Sequence, residues 1–272
     1  MALLQVNFFS DALKRTVPIH VILPADKVGP NGLMPIPEGG FKTLYLLNGL
    51  FGNYTDWLCN TRIKQWAEER DLAVVMPAGD NSFYVDRPQQ GCSYGRFIGQ
   101  ELVEVTRRMF PLSRNREDTF IAGLSMGGYG AIRNGLVYAD TFGYIAGFSS
   151  AVHLFEIAPG TPGRVIIGED HVLGDYAEAV QSDKNPRIAL LNLLRSGKPV
   201  PAIYMSCGLQ DSLLESNRTL RDYFVEKGVE LTYLEKDGDH NWDFWNDQIR
   251  HILDWLPLDR GQAGLSSGNI KV

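Results

Sequence analysis

Cysteine is scarce in this chain, whose 272 residues contain only Cys59, Cys92 and Cys207. Three scattered cysteines do not form a disulfide framework and suit a reducing compartment, which predicts a cytoplasmic protein. A net charge of −6 leaves no basic stripe, so we expect no nucleic-acid partner. No stretch approaches the roughly 20 apolar residues of a membrane span, and the first residues lack the pattern of a signal peptide. We therefore expect no membrane partner, and the sequence leaves a homo-oligomer open.

The chain contains enough apolar sequence for one large core, since 44% of its residues are hydrophobic and 21% are charged. Apolar strand-like runs alternate with helix-like segments, and internal repeats are absent from the sequence. Residues 72–76 read L-A-V-V-M, the pattern of a central strand that is covered on both faces. This alternation predicts an α/β fold with a mostly parallel central sheet and helices on both faces.

The domain boundaries follow from breaks in this alternation. Early strands near residues 4–9 and 17–23 predict an antiparallel edge at the N-terminal side of the sheet. Proline and glycine interrupt the rhythm within residues 151–196, which predicts an insertion or lid over the site. We expect one domain over residues 1–257, followed by a flexible tail over residues 258–272 that is rich in glycine and serine.

The most informative motif is the pattern G-L-S-M-G at residues 123–127. It follows an apolar run at 118–124 that favours a strand and precedes a proline-free segment that favours a helix. A serine on a sharp turn between strand and helix is a nucleophile elbow, because a base can reach its hydroxyl there. Chance could place this pattern in any glycine-rich loop, so the prediction that Ser125 is a nucleophile depends on its partners.

An elbow serine needs an acid and a histidine that follow it in that order along the chain. Asp211 comes at the end of an apolar run at 200–207, and His240 comes after an alternating run at 229–235. Parallel strands present catalytic side chains at their carboxyl ends, which favours both residues. Asp211 could instead cap the next helix; because one carboxylate would not easily fill both roles, we expect Ser212 to serve as the cap.

The other histidines fit a catalytic role less well and are expected to be structural or solvated. Asp237 and Asp239 closely precede His240, but side chains that alternate along a strand do not converge on a metal. We therefore predict no metal site and no cofactor. The histidines in question are His20, His153, His171 and His251.

Hydrolysis of an ester also requires two backbone amides that bind the developing oxyanion. The residue after the nucleophile supplies the first, which assigns Met126. The second comes from a loop after an earlier strand, and residues 43–47 form an apolar run that breaks into a glycine-containing turn at 48–52. This position assigns the amide of Leu50.

These motifs resemble the esterase D-like branch of the α/β-hydrolase superfamily, with bacterial tributyrin esterases looking closest. The likeness covers nearly the whole chain and is most specific at F-I-A-G-L-S-M-G-G-Y-G, residues 120–130, and at G-D-H-N-W-D-F-W, residues 238–245. It also includes L-L-N-G-L-F-G at 46–52 and C-G-L-Q-D at 207–211. The resemblance implies an α/β-hydrolase fold, the triad Ser125, Asp211 and His240, and oxyanion donors at Leu50 and Met126.

Two departures from the family pattern concern the oxyanion loop. Such families usually carry His-Gly here, whereas this chain has Asn48 before Gly49. S-formylglutathione hydrolases continue with Leu-Thr-Cys, and this chain reads L-F-G at 50–52. The second departure argues against a dedicated glutathione thioester hydrolase without excluding activity on thioesters.

The resulting prediction is a serine carboxylesterase that hydrolyses short-chain acyl esters of small molecules through an acyl-enzyme. The alternatives are a feruloyl or acetyl esterase for plant-derived esters, an S-formylglutathione hydrolase-like thioesterase, an acyltransferase and, least favoured, a binding protein without catalysis. Aromatic residues near the motifs could wall the substrate pocket, although such residues are often simply core. The candidates are Phe51, Trp57, Tyr129 and Trp242.

Overall fold

A central sheet of eight strands organises the protein, in a computed structural model that describes residues 1–156, 172–261 and 264–265. The strand order is β1-β2-β6-β5-β9-β10-β11-β12. Strand β1 pairs antiparallel with β2 and β2 pairs antiparallel with β6, whereas the remaining pairs are parallel. The eight strands are β1 (Ala2–Ser10), β2 (Arg15–Leu23), β5 (Thr43–Leu47), β6 (Ala73–Pro77), β9 (Thr119–Leu124), β10 (Tyr144–Phe148), β11 (Ala202–Gly208) and β12 (Thr232–Lys236). The mostly parallel sheet and its antiparallel N-terminal edge are confirmed.

Two short hairpins lie outside this sheet. One joins β3 (Val28–Gly29) to β4 (Gly32–Leu33), and the other joins β7 (Asp86–Arg87) to β8 (Cys92–Ser93).

Helices occupy the connections between the strands, as the predicted alternation requires. Helix α3 continues through a π-helical turn at Phe97–Glu101 into α4. The helices are α1 (Asp56–Asn60), α2 (Ile63–Glu68), α3 (Tyr94–Arg96), α4 (Leu102–Met109), α5 (Met126–Val137), α6 (Tyr176–Gln181), α7 (Pro186–Ser196), α8 (Leu214–Glu226) and α9 (Trp242–Trp255). Short 3₁₀ turns lie at Pro24–Asp26, Pro88–Gln90, Arg116–Asp118 and Val152–Phe155.

Two apolar clusters cover the two faces of the sheet. The larger packs α4, α5, α7 and α8 against one face, and the smaller packs α2 and α9 against the other. All five residues of β5 and of β6 are buried, because these inner strands are covered on both sides. Two-sided burial leaves the ends of the strands as the places where polar side chains can collect.

The predicted insertion and tail lie only partly within the described residues. Residues 157–171, which include His171, fall outside them, as do residues 262–263 and 266–272. In the described part of the tail, the amide of Gly261 donates to Glu69 and that of Leu265 donates to Val28. The domain boundaries stay a prediction.

Candidate active site

Ser125 lies on the turn between β9 and α5, with φ +54° and ψ −117°. This is a strained conformation for a residue with a side chain, of the kind that proteins retain where function requires it. A Cβ on Gly123 would lie 2.4 Å from the backbone carbon of Gly127, and one on Gly127 would lie 2.5 Å from the carbonyl oxygen of Leu47. Only glycine fits at both positions, so the two glycines permit the turn that projects the serine hydroxyl.

The structure brings Ser125, His240 and Asp211 into one hydrogen-bonded chain. Nε2 of His240 lies 3.1 Å from Oγ of Ser125, and Nδ1 lies 2.9 Å from Oδ2 of Asp211. With the proton on Nδ1, the ring donates to the carboxylate, and Nε2 can accept the serine proton. The indole of Trp245 packs edge-on against the His240 ring, and the two ring centroids are 4.9 Å apart.

Asp211 uses its two carboxylate oxygens for different partners. Oδ1 accepts the amide of Leu213 at 2.8 Å, while Oδ2 faces His240. The N-cap position of α8 is Leu213 and has no side-chain cap, so the expectation that Ser212 caps this helix is wrong. Asp211 does not cap the helix either, because its bond to the Leu213 amide lies in the loop before the first helical residue. Burial raises the pKa of this carboxyl, but hydrogen bonds from His240, Ser149 and the Leu213 amide outweigh burial and hold its pKa below the ordinary 3.8. The acid thus stays ionised at neutral pH.

The two expected oxyanion donors are residues close to Ser125. Leu50 lines the same cleft as Ser125, and Met126 is the first residue of α5. The first amides of a helix have no partner within it, which leaves the Met126 N–H available to a ligand. Among the hydrogen bonds of the described residues, none is donated by the amide of Leu50 or of Met126. Both amides are free to bind an anion.

Asn48, where the resembling families carry histidine, connects the oxyanion loop to the neighbouring loop. Its Oδ1 accepts the amide of Gly79 at 3.0 Å and the hydroxyl of Tyr84 at 3.1 Å, and its Nδ2 donates to the carbonyl of Gly49. The side chain is 1% exposed, so water does not compete for these bonds. Asn48 therefore has a structural role in holding the loop.

Phe51 continues this loop in a left-handed conformation, with φ +64°. Its amide donates to Oδ1 of Asn81 at 2.8 Å. Asn81 belongs to a segment in which four residues other than glycine have a positive φ. These residues are Asp80, Asn81, Phe83 and Tyr84. Such strain persists only where the surroundings enforce it.

A cleft of about 670 Å³ opens over Ser125 and His240. This volume is within the usual range for small-molecule sites. Its polar side includes His153, Glu156 and Ser212, so His153 lies at the site although we expected it to be structural or solvated. The apolar side includes Leu50, Phe51, Phe83, Leu124, Trp242 and Trp245.

Two of the four predicted pocket aromatics line this cleft, namely Phe51 and Trp242. The prediction is wrong for the other two, which are not among its lining residues. Trp57 is 1% exposed and its indole donates to the carbonyl of Leu47. Tyr129 is fully buried and its hydroxyl donates to the carbonyl of Lys184. The polar atom of each ring forms its hydrogen bond inside the core, so neither ring faces the cleft.

Sequence reasoning did not assign Phe83 and Trp245 to the site. Trp245 follows Trp242 by three positions on α9, and this helical spacing indicates that the two rings share a face. Their centroids are 5.3 Å apart. No sequence signal marks Phe83, because its position depends on a left-handed φ of 52° that its residue type does not predict.

The remaining histidines in the described residues have structural surroundings. His20 on β2 packs edge-on against Tyr54, and His251 on α9 lies 3.2 Å from a carboxylate oxygen of Asp247. Within the described ranges, no three His, Cys, Asp or Glu side chains are grouped so that they could hold a metal. No helix in that part of the chain is long and apolar enough to cross a membrane.

A larger cavity, of about 910 Å³, lies away from this site, and its lining includes Arg260, Gly261, Gly264 and Leu265. Lys27 in its wall donates to the Glu68 carbonyl and the Asp71 carboxylate, and Arg70 donates to Leu253 and Asp254. Its buried cations are thus engaged within the fold. The cavity over Ser125, by contrast, is lined by the serine and the histidine of the hydrogen-bonded chain.

Comparison with known proteins gives consistent matches. The family model described as "Putative esterase" matches residues 10–256. A protein of Caldicellulosiruptor saccharolyticus named acetyl esterase is 40% identical over 261 residues, which cover 94% of this chain and 98% of that protein.

Two solved structures from Staphylococcus aureus share the fold. The fluorophosphonate-binding serine hydrolase FphF superposes with a TM-score of 0.80 at 29% identity, and the S-formylglutathione hydrolase FrmB with 0.79 at 29%. Each comparison covers 94% of this chain and 98% of the other. These matches confirm the predicted α/β-hydrolase fold.

Proposed function

The chain belongs to the "Putative esterase" family and is a carboxylic ester hydrolase, and we propose that Ser125, His240 and Asp211 form its catalytic triad. The observation that carries this assignment is the unbroken chain of contacts, 3.1 Å from serine to histidine and 2.9 Å from histidine to aspartate. These are the distances over which a base can take a proton from a nucleophile while an acid orients that base.

The reaction proceeds in two steps. Nε2 of His240 takes the proton of Ser125 as Oγ attacks the ester carbonyl, and the amides of Leu50 and Met126 stabilise the oxyanion. His240 then gives its proton to the departing alcohol, which leaves the acyl group on Ser125. A water molecule gives a proton to the same ring as it attacks the acyl-enzyme, and His240 returns that proton to Oγ of Ser125 as the bond to the acyl carbon breaks and the acid leaves.

We propose short-chain acyl esters as the substrates. The apolar walls of the cleft, including Phe51 and Trp242, can hold a small acyl or alcohol group. The relative named acetyl esterase supports a short acyl group, and this preference is compatible with the tributyrin esterase branch. Three cysteines without a disulfide among them favour a cytoplasmic location.

A thioesterase is the second candidate. One solved relative is an S-formylglutathione hydrolase, and the same nucleophile can attack a thioester carbonyl. The difference at residues 50–52 favours the oxygen ester as the preferred substrate.

A series of substrates tests both proposals. We expect hydrolysis of p-nitrophenyl acetate and butyrate to exceed hydrolysis of the octanoate, of methyl ferulate and of S-formylglutathione, measured as kcat/KM. Addition of methanol to the acetate reaction would reveal acyl transfer as methyl acetate. A maximum at octanoate or ferulate would contradict the short-chain proposal, and a maximum at S-formylglutathione would favour the thioesterase.

A further inference from the structure

The two edges of the central sheet differ in how they are protected. Strand β12 is five residues long and carries Glu235, whose carboxylate pairs with Arg218, and Lys236, which pairs with Asp247. Short, charged edge strands resist pairing with other chains. Strand β1, at the opposite edge, has nine residues and contains neither a charged residue nor a proline. Strand β1 therefore lacks the charged residues and prolines that usually keep an edge strand from pairing with another chain.

The outer side of β1 is also open. In an antiparallel ladder, alternate residues direct their N–H and C=O groups away from the neighbouring strand. Among the described residues, no backbone group of residues 2–9 bonds to an element other than β2. On one face of the strand, Leu3 is 43% exposed and Phe9 is 64% exposed. Within the part of the chain that the structure describes, β1 therefore presents unpaired backbone groups and apolar side chains together.

We propose that β1 pairs antiparallel with β1 of a second copy of this chain, about a two-fold axis at Val6. Leu3 and Phe9 each lie three residues from Val6, and both are on the face of the strand opposite to the Val6 side chain. The axis therefore places Leu3 of each copy opposite Phe9 of the other, and Gln5 opposite Asn7. The two eight-stranded sheets become one continuous sheet.

The pattern of β1 favours its own copy as the occupant. A two-fold interface must be self-complementary, because each contact occurs twice. Around Val6 no opposed pair contains a charged residue, and the pairs nearest the axis join Gln5 to Asn7 and Leu4 to Phe8, so the strand meets no charge repulsion from itself. An antiparallel arrangement also gives each copy's outward backbone groups partners that point toward it.

Charge substitutions test the pairing and its register. Gln5 and Asn7 are exposed, so substitutions there leave the core of the monomer intact. Gln5→Lys/Asn7→Lys places lysine opposite lysine twice, and we expect the dimer dissociation constant, measured by sedimentation equilibrium, to rise on the order of tenfold or more. Gln5→Glu/Asn7→Lys places opposite charges across the axis in the same positions, and we expect it to restore the dimer.

Esterase activity controls for folding in these variants. Four strand spacings separate β1 from β9, or about 19 Å, so hydrolysis of p-nitrophenyl acetate should be unchanged. A wild-type chain that stays monomeric at 100 µM, a dimer that tolerates the two lysines, or a Glu/Lys variant no more dimeric than the Lys/Lys variant would each overturn the proposal. None of these results bears on the triad, which is tested by activity alone.

Discussion

At the scale of single residues, Asp211 shows how one side chain meets two demands. Its side chain is fully buried, and the two oxygens are divided between the Leu213 amide and His240. A buried carboxylate is costly unless each oxygen has a donor, and here both have one. The sequence predicted that Asp211 follows β11 at its carboxyl end, whereas the partners of its two oxygens depend on how loops from distant parts of the chain pack together.

Replacing Asp211 with Asn should lower kcat by about 10⁴-fold, since an amide stabilises the wrong histidine tautomer.

The same variant tests the lowered pKa of the acid. A carboxyl whose pKa is lowered by folding stabilises the protein above the unfolded value near 3.8, and this contribution is lost as the pH falls through the folded value. Thermal unfolding from pH 2 to 7 should therefore show the wild type losing its advantage over Asp211→Asn in acid. A Tm difference independent of pH would contradict this account.

We expect Asn81 to act as a positioning residue for the amide of Leu50, the proposed oxyanion donor. It holds the next amide, that of Phe51, and so fixes the turn in which Leu50 lies. Asn81→Gly removes the acceptor yet tolerates the positive φ of 53°. Because small displacements of catalytic groups are costly, we expect kcat to fall on the order of 10- to 100-fold with little change in KM.

Asn81→Asp is the matched variant, since it keeps an acceptor oxygen and a side chain that tolerates the left-handed region. It should recover part of the loss in kcat. Steady-state kinetics of the three proteins on p-nitrophenyl acetate gives the comparison. Equal kcat in the wild type and Asn81→Gly would remove Asn81 from this role.

At the scale of elements, strands were predictable where apolar patterning decides the structure. The run at 72–76 predicted a central strand, and β6 covers Ala73–Pro77 with every residue buried. The strand expected over 229–235 begins only at Thr232. The amide of Val229 bonds to the Phe224 carbonyl, and Gly228 has φ +77°, so these residues terminate α8 instead. Hydrogen bonding at the helix end overrides the alternating pattern.

The walls of the cleft were less predictable, because their orientation depends on contacts between distant segments. Trp57 and Tyr129 lie close to site residues in sequence, yet their polar atoms bond to Leu47 and Lys184 inside the fold. Phe83 reaches the cleft through backbone strain that its residue type does not signal. Motifs thus locate the chemistry, while tertiary packing determines the shape of the pocket.

At the scale of the whole molecule, the parallel strands bring residues from distant parts of the chain together at the carboxyl ends of the strands. Leu50, Ser125, Asp211 and His240 follow strands β5, β9, β11 and β12, which all point the same way. The carboxyl ends of such strands are where α/β proteins place their sites. The antiparallel β1 lies at the far side of the sheet, so pairing through that edge leaves the cleft accessible.

The most direct test of the account is to identify the acylated residue during turnover. Wild-type protein mixed with p-nitrophenyl acetate and quenched in acid should carry one acetyl group, which peptide mass spectrometry assigns to Ser125. Ser125→Ala should remain unacetylated and lose on the order of 10³-fold or more in kcat while retaining its fold. Acetylation at another residue, or wild-type turnover by Ser125→Ala, would contradict the proposed nucleophile.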